Sequence, residues 1–319
     1  MTRAFPTPAK PLRIGTRGSP LALAQAHETR DRLMAAHDLP SEAFEVVVIH
    51  TTGDDRAMIA ADRALKEIGN KGLFTKEIEE ALTSGRIDIA VHSMKDMPTE
   101  QPPGLVLDGL LPREDPRDAF VSPSAAGIAE LPEGAVVGSS SLRRRAQLAA
   151  RRPDLKLVEF RGNVQTRMRK LDEGVARATF LAMAGLNRLD LASVARSAIA
   201  PEEMLPAVAQ GAIGIERRTE DTATADLVAA IHDIPTAERL AAERAFLATL
   251  DGSCETPIAG LALLKGTELW LRGEILRPDG SEVIAGARRG PVSEAAIMGT
   301  DLARELLDQA PKGFFDWRS

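Results

Sequence analysis

The 319-residue chain has no tyrosine, two tryptophans and one cysteine, and aromatic residues make up 3% of it. So few π faces leave little on which bases could stack, and nucleic acid is not an expected partner. A single cysteine cannot close an internal disulfide, which excludes a disulfide framework and fits a reducing compartment. No apolar run reaches the roughly 18 residues of a membrane-spanning helix, and the opening MTRAFPTPAK lacks the apolar core of a secretory signal. The expected location is the cytoplasm, with no membrane partner. GxGxxG and GxxxxGK[ST] are absent, which removes the common nucleotide cradles.

What is present is a soluble globular composition, 44% hydrophobic and 27% charged, at a length that predicts two or three domains. The formal net charge is −6, yet residues 143 to 170 hold ten Lys and Arg against Asp154 and Glu159. A basic island in an acidic chain has two readings, a site for an anionic ligand or a solvated basic face.

Short apolar runs alternate with helix-like segments through the first two thirds of the chain. Leu12 to Thr16, Phe44 to His50, Ile87 to His92, Leu105 to Leu111, Ala135 to Gly138, Leu155 to Phe160 and Ala178 to Ala182 read as strands. Between them, Thr75 to Thr83 has helical period, with Ile78, Ala81 and Leu82 on one face. This is the pattern of an open α/β sheet. From about Pro235 it changes to helix (Thr236 to Leu250), three strands (Pro257 to Leu264, Glu268 to Leu276, Glu282 to Arg289) and helix (Ser293 to Gln309). Asp279-Gly280 is a hairpin signal. A separate small α+β domain is expected there, with Cys254 in the turn after its first helix.

Three constellations could carry chemistry. In GTRGSPLALAQA, Ser19 and Pro20 form an N-cap and first-turn pair, so free amides and Arg17 face the end of the first strand as an anion site. In IDIAVHSMKDMP, an apolar strand delivers Ser93, Lys95 and Asp96 at its C-terminal end, the edge where open α/β sheets bind ligands. An ordinary Lys95–Asp96 surface ion pair is the alternative. His92 reads as a packed strand residue, since no second histidine or cysteine lies at metal-ligand spacing. In VGSSSLRRRAQL and FRGNVQTRMRKL, strand, turn and helix bring Ser139, Ser140, Ser141, Arg143, Arg144, Arg161, Asn163 and Arg167 toward one sheet edge. Arginine forks there suit carboxylates or phosphates, while Arg145, Arg151 and Arg152 read as solvated.

GTRGSPLA, KGLF (Lys71 to Phe74), HSMKDMP, GSSSLRR, FRGNVQTR, LPAVAQGAIGIE and the turn LDGSCETPIAG, in this order, resemble the porphobilinogen deaminase family from about Pro11 to beyond Arg289. The resemblance implies two lobes like those of periplasmic binding proteins plus a small α+β C-terminal domain carrying the cofactor cysteine. The implied boundaries are 11–111 with 212–230, 117–205, and 234–319. It implies head-to-tail condensation of four porphobilinogen molecules, with loss of ammonia, to the linear tetrapyrrole hydroxymethylbilane. The cofactor would be a dipyrromethane primer joined to Cys254 by a thioether, with no metal, and the chain a monomer. By the same resemblance Asp96 is catalytic. Ser19, Ser93, Lys95, Ser141, Arg143, Arg144, Asn163 and Arg167 contact the cofactor, Arg17, Arg161 and Arg188 bind substrate carboxylates, and Lys71 and Phe74 belong to a mobile loop.

The chain departs from the family pattern at Ser253, where a glycine is usual, at Asn70, also usually glycine, and at Arg177, usually an acid. A different class of function, a cytoplasmic anion-binding module with a two-lobed fold, would explain the basic residues. It would leave Asp96 among them without a reason and Cys254 as a small core residue.

Overall fold

The computed structural model describes residues 5–51, 75–252 and 256–318. The chain divides into two compact units, Met1–Arg113 with Ala212–Thr236 and Glu114–Gly211 with Ala237–Ser319.

The first unit is built on β1 (Leu12–Thr16), β2 (Phe44–Val48), β3 (Ile89–Ser93), β4 (Leu105–Leu110) and β10 (Ile213–Arg218), elements being numbered by their place in the chain. The sheet order is β2-β1-β3-β10-β4. β1 runs parallel to β2 and β3, and β10 is antiparallel to both β3 and β4. β3 is buried along most of its length, as a strand covered on both faces must be. Ile14, Ala26, Leu33, Val91, Ile213 and Ile215 form the core beneath α1 (Pro20–His37). Ile78, Ala81, Leu82, Ile87 and Ala90 form the other, beneath α2 (Lys76–Thr83). Because β1 and β3 are parallel, the chain leaves both at one edge, which brings Arg17 and Ser19 to the side where Ser93 to Asp96 emerge.

The second unit repeats this plan. β5 (Asp118–Val121), β6 (Val136–Gly138), β7 (Lys156–Val158), β8 (Ala178–Ala182) and β9 (Ser197–Ala198) lie in the order β7-β6-β8-β5-β9. The three strands β6, β7 and β8 are parallel, as are β1, β2 and β3, and β5 is the antiparallel insertion. Ser141 caps α3 (Leu142–Arg151) by accepting from Arg144 N, and Asn163 caps α4 (Val164–Asp172) by accepting from Thr166 N. The short α5 (Met183–Arg188) follows β8 directly.

In the C-terminal part, a helix Ile234–Thr249 precedes a separate antiparallel sheet of β11 (Ile258–Lys265), β12 (Glu268–Leu276) and β13 (Val283–Pro291), followed by the helix Ala295–Gln309. Gly280 takes φ 73° in the β12–β13 turn, a conformation glycine adopts without a Cβ penalty. A Cβ there would also lie 2.4 Å from Ala150 N of α3. The segment has its own sheet, yet it forms one compact unit with residues 114–211. The buried Glu243 carboxylate accepts from Ala209 N at 2.6 Å and from Ala262 N at 2.7 Å, tying the two parts together.

Three strands of the lobe sheets are not apparent in the sequence, among them the two-residue β9. The second half of β10 is Glu216, Arg217 and Arg218, the first two buried, so its charge hides its strand character. β5 has four residues and opens on a buried aspartate, Asp118.

Candidate active site

In the first unit, Arg17, Ser19, Leu21, Ala22, Gln25, Thr75, Val91, His92, Ser93, Asp96 and Met97 line a pocket of about 90 Å³. Ser19 accepts from Ala22 N at 3.3 Å, which turns the first amides of α1 toward this edge. Ser93 ends β3, and Asp96 sits exposed in the single 3-10 turn Met94–Asp96 that follows. Lys95 shares that turn, half-buried, but does not line the pocket. Nothing in the local pattern singles out Gln25, whose amide exchanges hydrogen bonds with Ser93 Oγ at 2.8 and 3.1 Å. Gln25 is buried at mid-helix, where a polar residue needs such a partner.

In the second unit the expected arginines separate by environment. Arg143 and Arg144 are both buried against Asp118, which is 0% exposed. Arg143 Nη1 donates to Asp118 Oδ2 and to Leu205 O, each at 2.8 Å. Arg144 Nη2 donates to Asp118 Oδ1 at 2.7 Å, and its Nη1 to Phe180 O at 2.9 Å. Gln210 Nε2 adds a bond to the same carboxylate at 2.9 Å. Burial pushes the Asp118 carboxyl up, but the two guanidinium groups outweigh it and hold it well below the usual carboxylate range.

Arg167 stands next to this group, its Nε donating to Gly162 O at 2.8 Å. Burial and the nearby Arg144 cation pull its pKa down to about 10. Arg161 is partly exposed, 3.6 Å from Glu159. Arg188 donates to Gly211 O at 3.1 Å. Arg145, Arg151 and Arg152, expected to be solvated, are each ion-paired, with Glu159, Glu274 and Asp154. Ser141 and Asn163 act as helix caps in the structure, and Ser140 Oγ accepts from Phe160 N at 3.0 Å, joining the two arginine-bearing turns. Lys71, Phe74 and Cys254, with Asn70 and Ser253, lie outside the described residues.

Residues 12–226 match the family model for the porphobilinogen deaminase dipyromethane cofactor binding domain, and residues 237–308 match that for the porphobilinogen deaminase C-terminal domain. The chain belongs to the porphobilinogen deaminase family. It is 72% identical over 313 residues to the porphobilinogen deaminase of Paracoccus denitrificans (strain Pd 1222), covering 98% of this chain and 99% of that one. It is 54% identical over 310 residues to the chloroplastic porphobilinogen deaminase of Oryza sativa subsp. japonica, covering 96% and 86%. Among solved structures, the methionine binding protein MetQ aligns with TM-score 0.44 at 14% identity, over 73% of this chain and 94% of that one. Membership makes this an enzyme of tetrapyrrole biosynthesis with a dipyrromethane-binding domain. No helix among the described residues is long and apolar enough to cross a membrane.

The residues present fit such a cofactor. Its pyrrole rings carry acetate and propionate groups, and the second unit sets Arg167 beside Arg144, which with Arg143 shares the one carboxylate of Asp118. That local excess of positive charge is what ligand carboxylates would neutralise.

Proposed function

We propose that this porphobilinogen deaminase joins four porphobilinogen molecules head to tail on a dipyrromethane primer held by Cys254 through a thioether, and releases hydroxymethylbilane. The observation that carries this reading is the pairing of one exposed carboxylate, Asp96, with Arg17, Ser19 and Ser93 around a single pocket. When bound, the primer supplies the electron-rich pyrrole carbon at which the chain is extended.

Each remaining part of the task falls to this chain's own side chains. Porphobilinogen loses ammonia with positive charge developing on its pyrrole. Asp96, placed by the turn after β3, opposes that charge and so lowers the barrier. Arg17, beside the amides at the start of α1, offsets the substrate carboxylates, with Arg161 and Arg188 acting in the second unit. Ser19, Ser93, Lys95, Ser141, Asn163, Arg143, Arg144 and Arg167 would hold the primer, and Lys71 with Phe74 would cover the site as a loop. The enzyme works as a cytoplasmic monomer without nucleic acid or metal.

Intact mass of protein purified from cells able to make porphobilinogen, followed by mapping of the Cys254 peptide, tests this. The expected result is a covalent addition equal to a dipyrromethane on Cys254, absent from Cys254→Ser. An unmodified thiol in otherwise folded protein overturns the reading.

A further inference from the structure

The pocket that holds Asp96 has a second ionisable wall for which the reading above has no use. On antiparallel β3 and β10, Gly214 stands opposite His92 and Glu216 opposite Ala90, so side chains 90, 92 and 216 share one face of the sheet. His92 Nε2 lies 3.1 Å from Glu216 Oε2, with the two side chains 5% and 0% exposed. An ionised Glu216 can only accept, so a neutral His92 in this pair carries its proton on Nε2 and offers Nδ1 as an acceptor. Nothing among the described residues bonds to Nδ1, and His92 lines the pocket with Arg17, Ser93 and Asp96.

A purely architectural role accounts poorly for this arrangement. Burying a carboxylate costs several kcal/mol unless it is fully satisfied, and Glu216 Oε1 has no partner among the described residues. A second acid, Glu79 of α2, has its carboxyl pushed up by burial and by Glu216, against the opposing effects of Thr75 and His92. The charged and titratable groups around His92 are therefore Glu216 from β10, Glu79 from α2, and Arg17 and Asp96 at the pocket. An imidazole in the pocket wall, with one nitrogen held by a buried carboxylate and no partner on the other among the described residues, is built as an oriented proton acceptor.

We propose that His92, oriented by Glu216, is a second proton-transfer group of this pocket, accepting at Nδ1 the proton lost from the pyrrole carbon at which each new bond forms. In that step the C–H bonding pair returns to the pyrrole ring and the proton passes to Nδ1. The imidazolium is balanced by the Glu216 carboxylate and yields its proton to the ammonia released in the same cycle. The inference rests on the condensation proposed above.

The test uses primer-loaded enzyme with porphobilinogen as substrate, comparing wild type, His92→Gln and Glu216→Gln for kcat and KM against pH. ¹⁵N NMR of the His92 ring in wild type gives a readout independent of turnover. The expected wild-type kcat falls on acidification along a single limb. His92→Gln loses that limb and about 100-fold in kcat with little change in KM. Glu216→Gln moves the limb to lower pH, because the imidazolium loses its counter-ion. The NMR spectrum is expected to find the proton on Nε2 and Nδ1 bare at alkaline pH. A folded, loaded His92→Gln enzyme with the wild-type limb and rate overturns the proposal, as does a proton on Nδ1. Should His92→Gln load no primer, the Glu216→Gln shift and the nitrogen assignments decide. Wild-type protein with neither primer mass nor turnover is a different failure, since it removes the condensation itself and this proposal with it.

Discussion

Arg144 and Arg167 donate to the same acceptor, the main-chain oxygen of Phe180, at 2.9 and 3.4 Å. Two cations from consecutive helices, α3 and α4, thus converge on one neutral group in the middle of β8. The fold does not compensate Arg167 as it does Arg144, which also holds Asp118.

On the function proposed above, the Arg167 charge serves a ligand rather than the fold. In Arg167→Leu, primer carboxylates or substrate carboxylates lose a charge-assisted partner worth about 1.5–3 kcal/mol, or roughly 10- to 100-fold in affinity. Stability of the cofactor-free chain should hold or rise, because a partly desolvated cation has been removed. Intact mass reports loading and urea unfolding reports stability. Full loading with wild-type KM would assign Arg167 to the fold alone.

Asp118 should behave in the opposite way. Removing its charge in Asp118→Asn leaves two buried guanidinium groups uncompensated, at a cost of about 3–5 kcal/mol. The sign of the pH effect follows from its lowered carboxyl pKa. The stabilisation is fully present above the unfolded carboxyl value of about 3.9 and is lost as pH falls below it toward the folded value. Wild type should lose stability steeply on acidification in that window, and Asp118→Asn should start lower with a shallower slope. Parallel curves for the two proteins would rule out Asp118 as the source.

Much of this was legible in the sequence, and the exceptions share a cause. β1, β8 and β12 have the expected limits, because apolar runs bounded by turn residues encode a buried strand directly. The motif edges GTRGSP, HSMKD, GSSSLRR and FRGN were readable for the same reason, each following such a run. What stayed hidden were charges that pair across long sequence distances. Asp118 meets arginines 25 and 26 residues away, and His92 meets a carboxylate 124 residues away. No local period encodes these pairs, and the buried charge disguised β5 and β10, the strands that carry the two acids. An acid opening the apolar run DAFV was the one available hint of Asp118.

Asp96 offers the cleanest separation of chemistry from stability. It is exposed, so Asp96→Asn should change unfolding free energy by no more than about 0.5 kcal/mol. In protein already carrying its primer it should nearly abolish turnover, since an amide cannot oppose charge developing on the pyrrole. Stopped assays with loaded protein check this, and wild-type rates would remove Asp96 from the mechanism.

Gly15 of β1 and Gly138 of β6 occupy corresponding strands of the two lobe sheets, yet alanine should act differently at each. At Gly15 a Cβ would lie 2.2 Å from Ile87 Cδ1 and 3.3 Å from its Cγ1 and Cγ2, so the worst overlap is with the far end of a buried side chain. At Gly138 it would lie 2.3 Å from Phe160 Cγ and Cδ2 and 2.8 Å from Phe160 Cβ, and that ring is fully buried. Relief at Gly138 requires β6 and β7 to move apart, which displaces the turn from Ser139 to Ser141 and the turn at Arg161 and Asn163 together. Gly138→Ala should therefore cost about 1–3 kcal/mol by overpacking and lower primer loading. Gly15→Ala should cost less and load normally. Urea unfolding with intact mass on both variants checks the contrast. Equal stability and loading would mean that the β6–β7 contact yields without moving the arginine-bearing turns.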